Sequence, residues 1–81
     1  MPVREYVLKD ASNLGKSIVT YRAKHNLSQK EFAKKVGLST QTIYMIEANL
    51  QTPTKVTTEK IILVLEEDEQ NESQHKQNQD V

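Results

Sequence analysis

The sequence predicts an all-α fold: a compact set of four short helices, with room for a fifth. Three observations predict it. Apolar residues recur at helical spacing in successive segments. Serine, glycine and asparagine fall where those segments would begin and end. The chain has 81 residues and no cysteine, so one small domain without disulfides or thiolate metal sites is what it can build.

The first predicted helix starts near Ser12 or Asn13 and reaches about Lys24. Leu14, Ile18, Tyr21 and Arg22 give it one stripe. Gly15 inside the stripe weakens its local propensity. His25, Asn26 and Leu27 close it. The second helix covers about Ser28 to Val36. Ser28 and Glu31 have capping-box spacing, in which each side chain bonds the other residue's backbone N–H. Phe32, Ala33 and Val36 share one side. Gly37 follows, where the chain must turn sharply. The third helix covers about Thr40 to Ala48. Ser39 suits its start, Ile43 and Ile46 share one side, and Asn49 is a left-handed terminator in place of glycine. Leu38 in the turn can cover both helices.

Gln51, Thr52, Pro53 and Thr54 form a loop that Pro53 keeps from becoming helix. The fourth helix begins at Thr57 or Thr58 and reaches about Glu67. Its five consecutive apolar residues, Ile61 to Leu65, exceed what one face needs. Either several sides are buried or part of the helix meets another chain. The β-branched content also leaves a strand open here. Pro2 to Lys9 leaves two readings open: a strand-like arm, from the alternation of Val3, Glu5 and Val7, or a preliminary helical turn. The expected organisation is an arm over residues 1–11, a domain over 12–67 and a tail over 68–81. The tail is almost wholly polar and acidic, and disorder is expected for it.

The net charge of zero hides a division. Up to Leu65 there are ten basic residues and five acidic ones, about +5; from Glu66 onward there are six acidic residues and Lys76, about −5. A basic folded part suits a polyanion, and an acidic tail does not. The run Ile61–Leu65 is too short to span a bilayer, and Met1 to Asp10 mixes charge throughout, unlike a secretory signal. A cytoplasmic protein without a membrane partner is expected. His25 and His75 are isolated, and Glu66 to Glu69 lack the loop glycines and spacing of a cation site. No nucleophile–base pair or phosphate loop is present. No enzymatic activity, metal or cofactor is expected.

Residues 27–47 carry the functional signal. Two helices this short are unstable alone and must pack on each other and on a scaffold. The second then presents Thr40, Gln41, Tyr44 and Met45 outward, the layout of a helix-turn-helix whose second helix enters the DNA major groove. Gln41 is the foremost candidate for base readout, because its amide can pair with adenine N6 and N7; the alternative is an exposed glutamine without a partner. Thr40 has two readings, a contact to a thymine methyl or phosphate, or a helix cap. Tyr44 can lie against DNA or bury its ring against the preceding helix. Met45 can meet a thymine methyl or fill space. Lys30, Lys34, Lys35 and Lys55 are phosphate candidates, with solvated lysine as the alternative.

The stretch from Leu14 to Leu65 resembles the Cro and phage-repressor class of helix-turn-helix domains, the Xre-like family. The matching residues are Arg22, six before Ser28; the run Leu27 to Ser39; Thr42-Ile43; Ile46-Glu47; and Pro53. The resemblance implies a lambda-repressor-like domain. It implies that Gln29 bonds a DNA phosphate, that Thr40, Gln41 and Met45 face base edges with Tyr44 beside them, and that Thr42 approaches the backbone. It also implies a structural salt bridge between Arg22 and Glu47. The usual glycine after Ile-Glu is replaced by Ala48-Asn49-Leu50, and the fifth helix that usually follows the leucine at Leu65 is replaced by an acidic polar tail. The function implied is a DNA-binding transcriptional regulator, a repressor, acting near the nucleoid as a homodimer on a palindromic operator. The alternative is an antitoxin or adaptor whose acidic tail grips a protein partner. The tail also admits a third role, folding back on the basic face.

Overall fold

The computed structural model describes the backbone of residues 2–79 and the side chains of residues 2–70. Five α-helices follow one another: α1 (Val3–Lys9), α2 (Ser12–His25), α3 (Gln29–Val36), α4 (Thr40–Glu47) and α5 (Lys55–Gln79). Among the described residues there is no strand, so the strand-like readings of the amino-terminal segment and of Ile61–Leu65 give way to helix. No helix among the described residues is long and apolar enough to cross a membrane.

Local chemistry sets the boundaries. Ser28 and Glu31 form a reciprocal capping box at α3, with Glu31 N–H donating to Ser28 Oγ at 3.0 Å and Ser28 N–H to Glu31 Oε1 at 2.9 Å. Ser39 caps α4 by accepting from Thr42 N–H at 3.1 Å, and Thr54 caps α5 by accepting from Thr57 N–H at 3.1 Å. At α2 the acceptor is Asp10, which takes bonds from the N–H and hydroxyl of Ser12, each at 2.9 Å.

The ends of α2, α3 and α4 share one design. Asn26, Gly37 and Asn49 adopt left-handed backbone at φ 55°, 76° and 58°. In each case the next residue is a leucine whose N–H reaches five residues back: Leu27 to Arg22 O, Leu38 to Ala33 O, Leu50 to Met45 O, all at 2.9 Å. This is the Schellman arrangement, which satisfies carbonyls a helix end leaves orphaned and aims the following apolar residue inward. Leu27 and Leu38 do pack on the core, while Leu50 remains exposed.

The core gathers one stripe from every helix: Val7; Leu14, Ile18 and Tyr21; Phe32, Ala33 and Val36; Ile43 and Ile46; Ile61, Ile62 and Leu65. Tyr21 meets the Phe32 ring edge-on at 5.4 Å between centroids. Gly15 has a packing reason. A Cβ there would stand 2.8 Å from Ile46 O and 3.1 Å from Glu47 Cα, so its absence lets α2 approach the backbone of α4.

The short α1 is fastened to α5 by charge. Arg4 forms ion pairs with both Glu59 and Glu66, and Val3 N–H donates to Glu69 Oε2 at 2.9 Å. Asn13 Nδ2 donates to Tyr6 O at 2.8 Å and ties α1 to α2. Farther along α5, Asp68 accepts from Lys24 at 2.9 Å and lies 2.7 Å from His25 Nε2. The backbone of residues 68–79, expected as tail, continues α5, and the side chains of Asp68 and Glu69 bond to α2 and α1. The side chains of residues 71–79 and residues 80–81, for which disorder is also expected, lie outside the described residues.

Candidate nucleic-acid interface

Helices α3 and α4 stand on the core through Phe32, Ala33, Val36, Ile43 and Ile46, all buried. With the apolar side of α4 committed, its other side is fixed in space. Thr40 and Gln41 are exposed in its first turn, and Tyr44, 51% exposed, lies one turn on. The ring of Tyr44 is thus directed to solvent rather than buried against α3. Met45 is half-buried. Thr42 is half-buried too, its hydroxyl 2.8 Å from Ser39 Oγ, so both hydroxyls serve the cap. Thr40 is the first helical residue and Ser39 the cap, which leaves the Thr40 hydroxyl outside that role.

One polar network locks α4 to its neighbours. Arg22 of α2 makes a two-point ion pair with Glu47 at the end of α4: Nε to Oε2 and Nη2 to Oε1, each 2.8 Å. Its remaining amino group donates to Leu27 O at 3.1 Å. The Glu47 side chain is 9% exposed, so this fork of paired bonds works largely out of water. The Glu47 carboxylate raises the Arg22 guanidinium further above its ordinary range, chiefly through the hydrogen bonds. Gln29, in the first turn of α3, joins the network: its Nε2 donates to Glu47 Oε1 at 3.0 Å. Nothing in the spacing of Gln29 and Glu47 points to this bond, because the two meet only once α3 and α4 are folded. Gln29 keeps its amide oxygen and one N–H for an outside partner.

The charges divide into engaged and free. Among the described residues every carboxylate except Glu5 and Glu67 accepts a hydrogen bond within the chain: Asp10 and Glu31 at caps, Glu47 on Arg22, Glu59 and Glu66 on Arg4, Asp68 on Lys24, Glu69 on Val3 N–H. The cationic residues those acids hold are on α1 and α2. On α3, Lys30, Lys34 and Lys35 are exposed, and the acid of that helix is spent on its cap. Helix α3 therefore carries three exposed lysines against one carboxylate, Glu31, and none of the three lysines is held in an ion pair among the described residues. Lys55 lies elsewhere, in the first turn of α5, beside a groove of about 390 Å³ lined by Val7, Leu8, Leu14 and Pro53.

Comparison with known proteins agrees with this geometry. A sequence model of the helix-turn-helix family matches residues 18–70, about two thirds of the chain and the whole of α3 and α4. A protein of Methanocaldococcus jannaschii described as an uncharacterized HTH-type transcriptional regulator is 54% identical over 33 residues. That match covers 41% of this chain and 50% of the relative, so the chain matches only half of that protein's length. No solved structure matches.

Proposed function

We propose a function from one premise: the chain belongs to the helix-turn-helix family. It acts as a DNA-binding transcriptional regulator, with α4 in the major groove and α3 above the phosphate backbone. The observation that carries this reading is the pairing of a rigidly seated α4, polar and exposed at Thr40, Gln41 and Tyr44, with the three exposed lysines of α3. A base-reading helix must be held to within a fraction of an ångström, and the buried isoleucines and the Arg22–Glu47–Gln29 network do that. The relative's description as a transcriptional regulator supports the same reading.

In this reading Gln41 pairs with an adenine edge, Thr40 and Met45 contact neighbouring bases, and Tyr44 and Thr42 lie toward the sugar–phosphate backbone. Gln29 and Lys30 hold phosphate. Lys55 reaches the backbone from the start of α5. One short helix reads too few base pairs for useful specificity, so the chain binds as a homodimer on a palindromic site, its half-sites about 34 Å apart. Occupying such a site blocks access to a promoter, which makes repression the expected sign. Selection of bound duplexes from a random pool tests the reading. An inverted repeat with one helical turn between half-site centres is expected. Salt-insensitive retention of no particular sequence would overturn it.

A further inference from the structure

Away from α3 and α4, a cleft of about 310 Å³ opens where α1, α2 and the far part of α5 come together. Val3, Tyr6, Tyr21 and Leu65 give it an apolar lining, Lys16 and Lys24 flank it from α2, and Asp68 and Glu69 close it from α5. Clefts of this size, apolar with a few placed polar groups, are where proteins hold small molecules.

Most of its polar groups are already spent. Ser17 Oγ donates to Asn13 O at 2.8 Å, and Thr20 Oγ1 to Lys16 O at 3.0 Å. Asp68 holds Lys24 and His25, and Glu69 accepts from Val3 N–H. Two groups are not spent. Lys16 is exposed and forms no hydrogen bond or ion pair among the described residues; its charge reaches Asp10 only through space. Tyr21 is only 7% exposed, its ring packed on Phe32 and His25. Its hydroxyl has no hydrogen-bond partner among the described residues, yet no side-chain polar atom there is both buried and without a partner. The one polar atom of this nearly buried side chain therefore ends open at the cleft, free to donate and to accept.

We propose that this cleft binds a small aromatic carboxylic acid with a hydroxyl at the far end of its ring. Charge selects the acid: the Lys16 ammonium calls for an anion, whereas a cation would find Asp68 and Glu69 occupied. Those two carboxylates repel a second anion and so turn the ligand's carboxylate toward Lys16. The tyrosine rings select an aromatic body, which gains edge and offset contacts beyond its buried area. Spacing selects the hydroxyl. Lys16 and Tyr21 are five positions apart on α2, about 7.5 Å along its axis, a length that one benzene ring with groups at both ends bridges. The volume holds about ten water molecules at liquid density, which suits one ring and its substituents. None of these residues has a part in the DNA reading, so the inference goes beyond that reading and is tested without it.

The test is titration of the full chain, without DNA, with para-hydroxybenzoate, followed by amide and side-chain NMR shifts. Saturable shifts should centre on Tyr6, Lys16, Tyr21 and Leu65, with a dissociation constant of about 1 mM. The methyl ester, which lacks the charge, should bind about threefold to fivefold more weakly. Lys16→Gln should weaken binding of the acid by the same factor and leave the ester unchanged. Tyr21→Phe removes only the unpartnered hydroxyl. It should lower affinity for para-hydroxybenzoate about threefold to tenfold and leave benzoate binding as in wild type. Circular dichroism verifies that both variants are folded. Shifts gathered on the lysines of α3, titrations that do not saturate, or variants that bind all three ligands as wild type does would overturn the proposal.

Discussion

Helices α3 and α4 meet over five buried apolar residues, whereas α1 adds the single buried Val7 to the core and is tied to α5 by Arg4 and two carboxylates. In the first region hydrophobic burial fixes the geometry, and the surface charges stay free. In the second, the charges are consumed by the fold. The difference separates roles that composition alone blurs. Ten basic residues precede Glu66; Arg4, Arg22 and Lys24 are engaged as structural ties, while α3 groups three exposed lysines, Lys30, Lys34 and Lys35, outside any ion pair beside the outward side of α4.

The comparison breaks most visibly at Phe32. Phe32→Ala empties the centre of the core and should cost about 3–5 kcal/mol, read as a lowered denaturant midpoint. A loss near the size of a surface mutation would mean that burial does not hold the α3–α4 region.

Glu47→Ala should come next, at about 1.5–3 kcal/mol, because it strands the half-buried Arg22 guanidinium and frees Gln29. It should also weaken DNA binding beyond its effect on stability, since α4 loses its tie to α2.

The smallest effect is expected on the α1–α5 side. Hydrogen bonds from Arg4 hold Glu59 and Glu66 below their ordinary value of 4.5. Asp68 is also lowered: burial opposes the shift, and the bonds from Lys24 and His25 outweigh it. Carboxylates depressed in the folded state add stability that is present above their unfolded pKa and lost as pH falls through the folded values. Stability should hold at neutral pH and decline below about 4.5, with amide exchange in α1 rising first. Arg4→Ala should flatten part of that decline, and high salt should mimic the mutation. An unchanged acid profile in Arg4→Ala would remove the clamp from the account.

These contrasts also explain which features of the fold are legible in the sequence. The limits of α3 and α4 were legible because Ser28, Glu31, Gly37, Ser39 and Asn49 act locally, within one turn of their own helices. The segment before Asp10 was ambiguous because the groups that hold it, Glu59 and Glu66, are more than fifty residues away. Gly15 looked like a weakness in a helix; its reason is the backbone of Ile46 and Glu47, visible only after α2 and α4 pack. Asp68 looked like tail because its polarity suits solvent, and its partners Lys24 and His25 arrive from α2. At the candidate interface the outward side of α4 followed from the spacing of Ile43 and Ile46. The bond from Gln29 to Glu47 did not, because no periodicity relates residues on two helices.

The central claim is that the exposed side of α4 reads bases while the lysines of α3 hold the backbone. Gln41→Ala tests it most directly, by titration of the selected operator and of an unrelated duplex at the same salt. Loss of the paired adenine contact should weaken operator binding by about 1–3 kcal/mol per half-site and leave binding to the unrelated duplex nearly unchanged. Equal weakening on both duplexes, or no change on either, would contradict the claim.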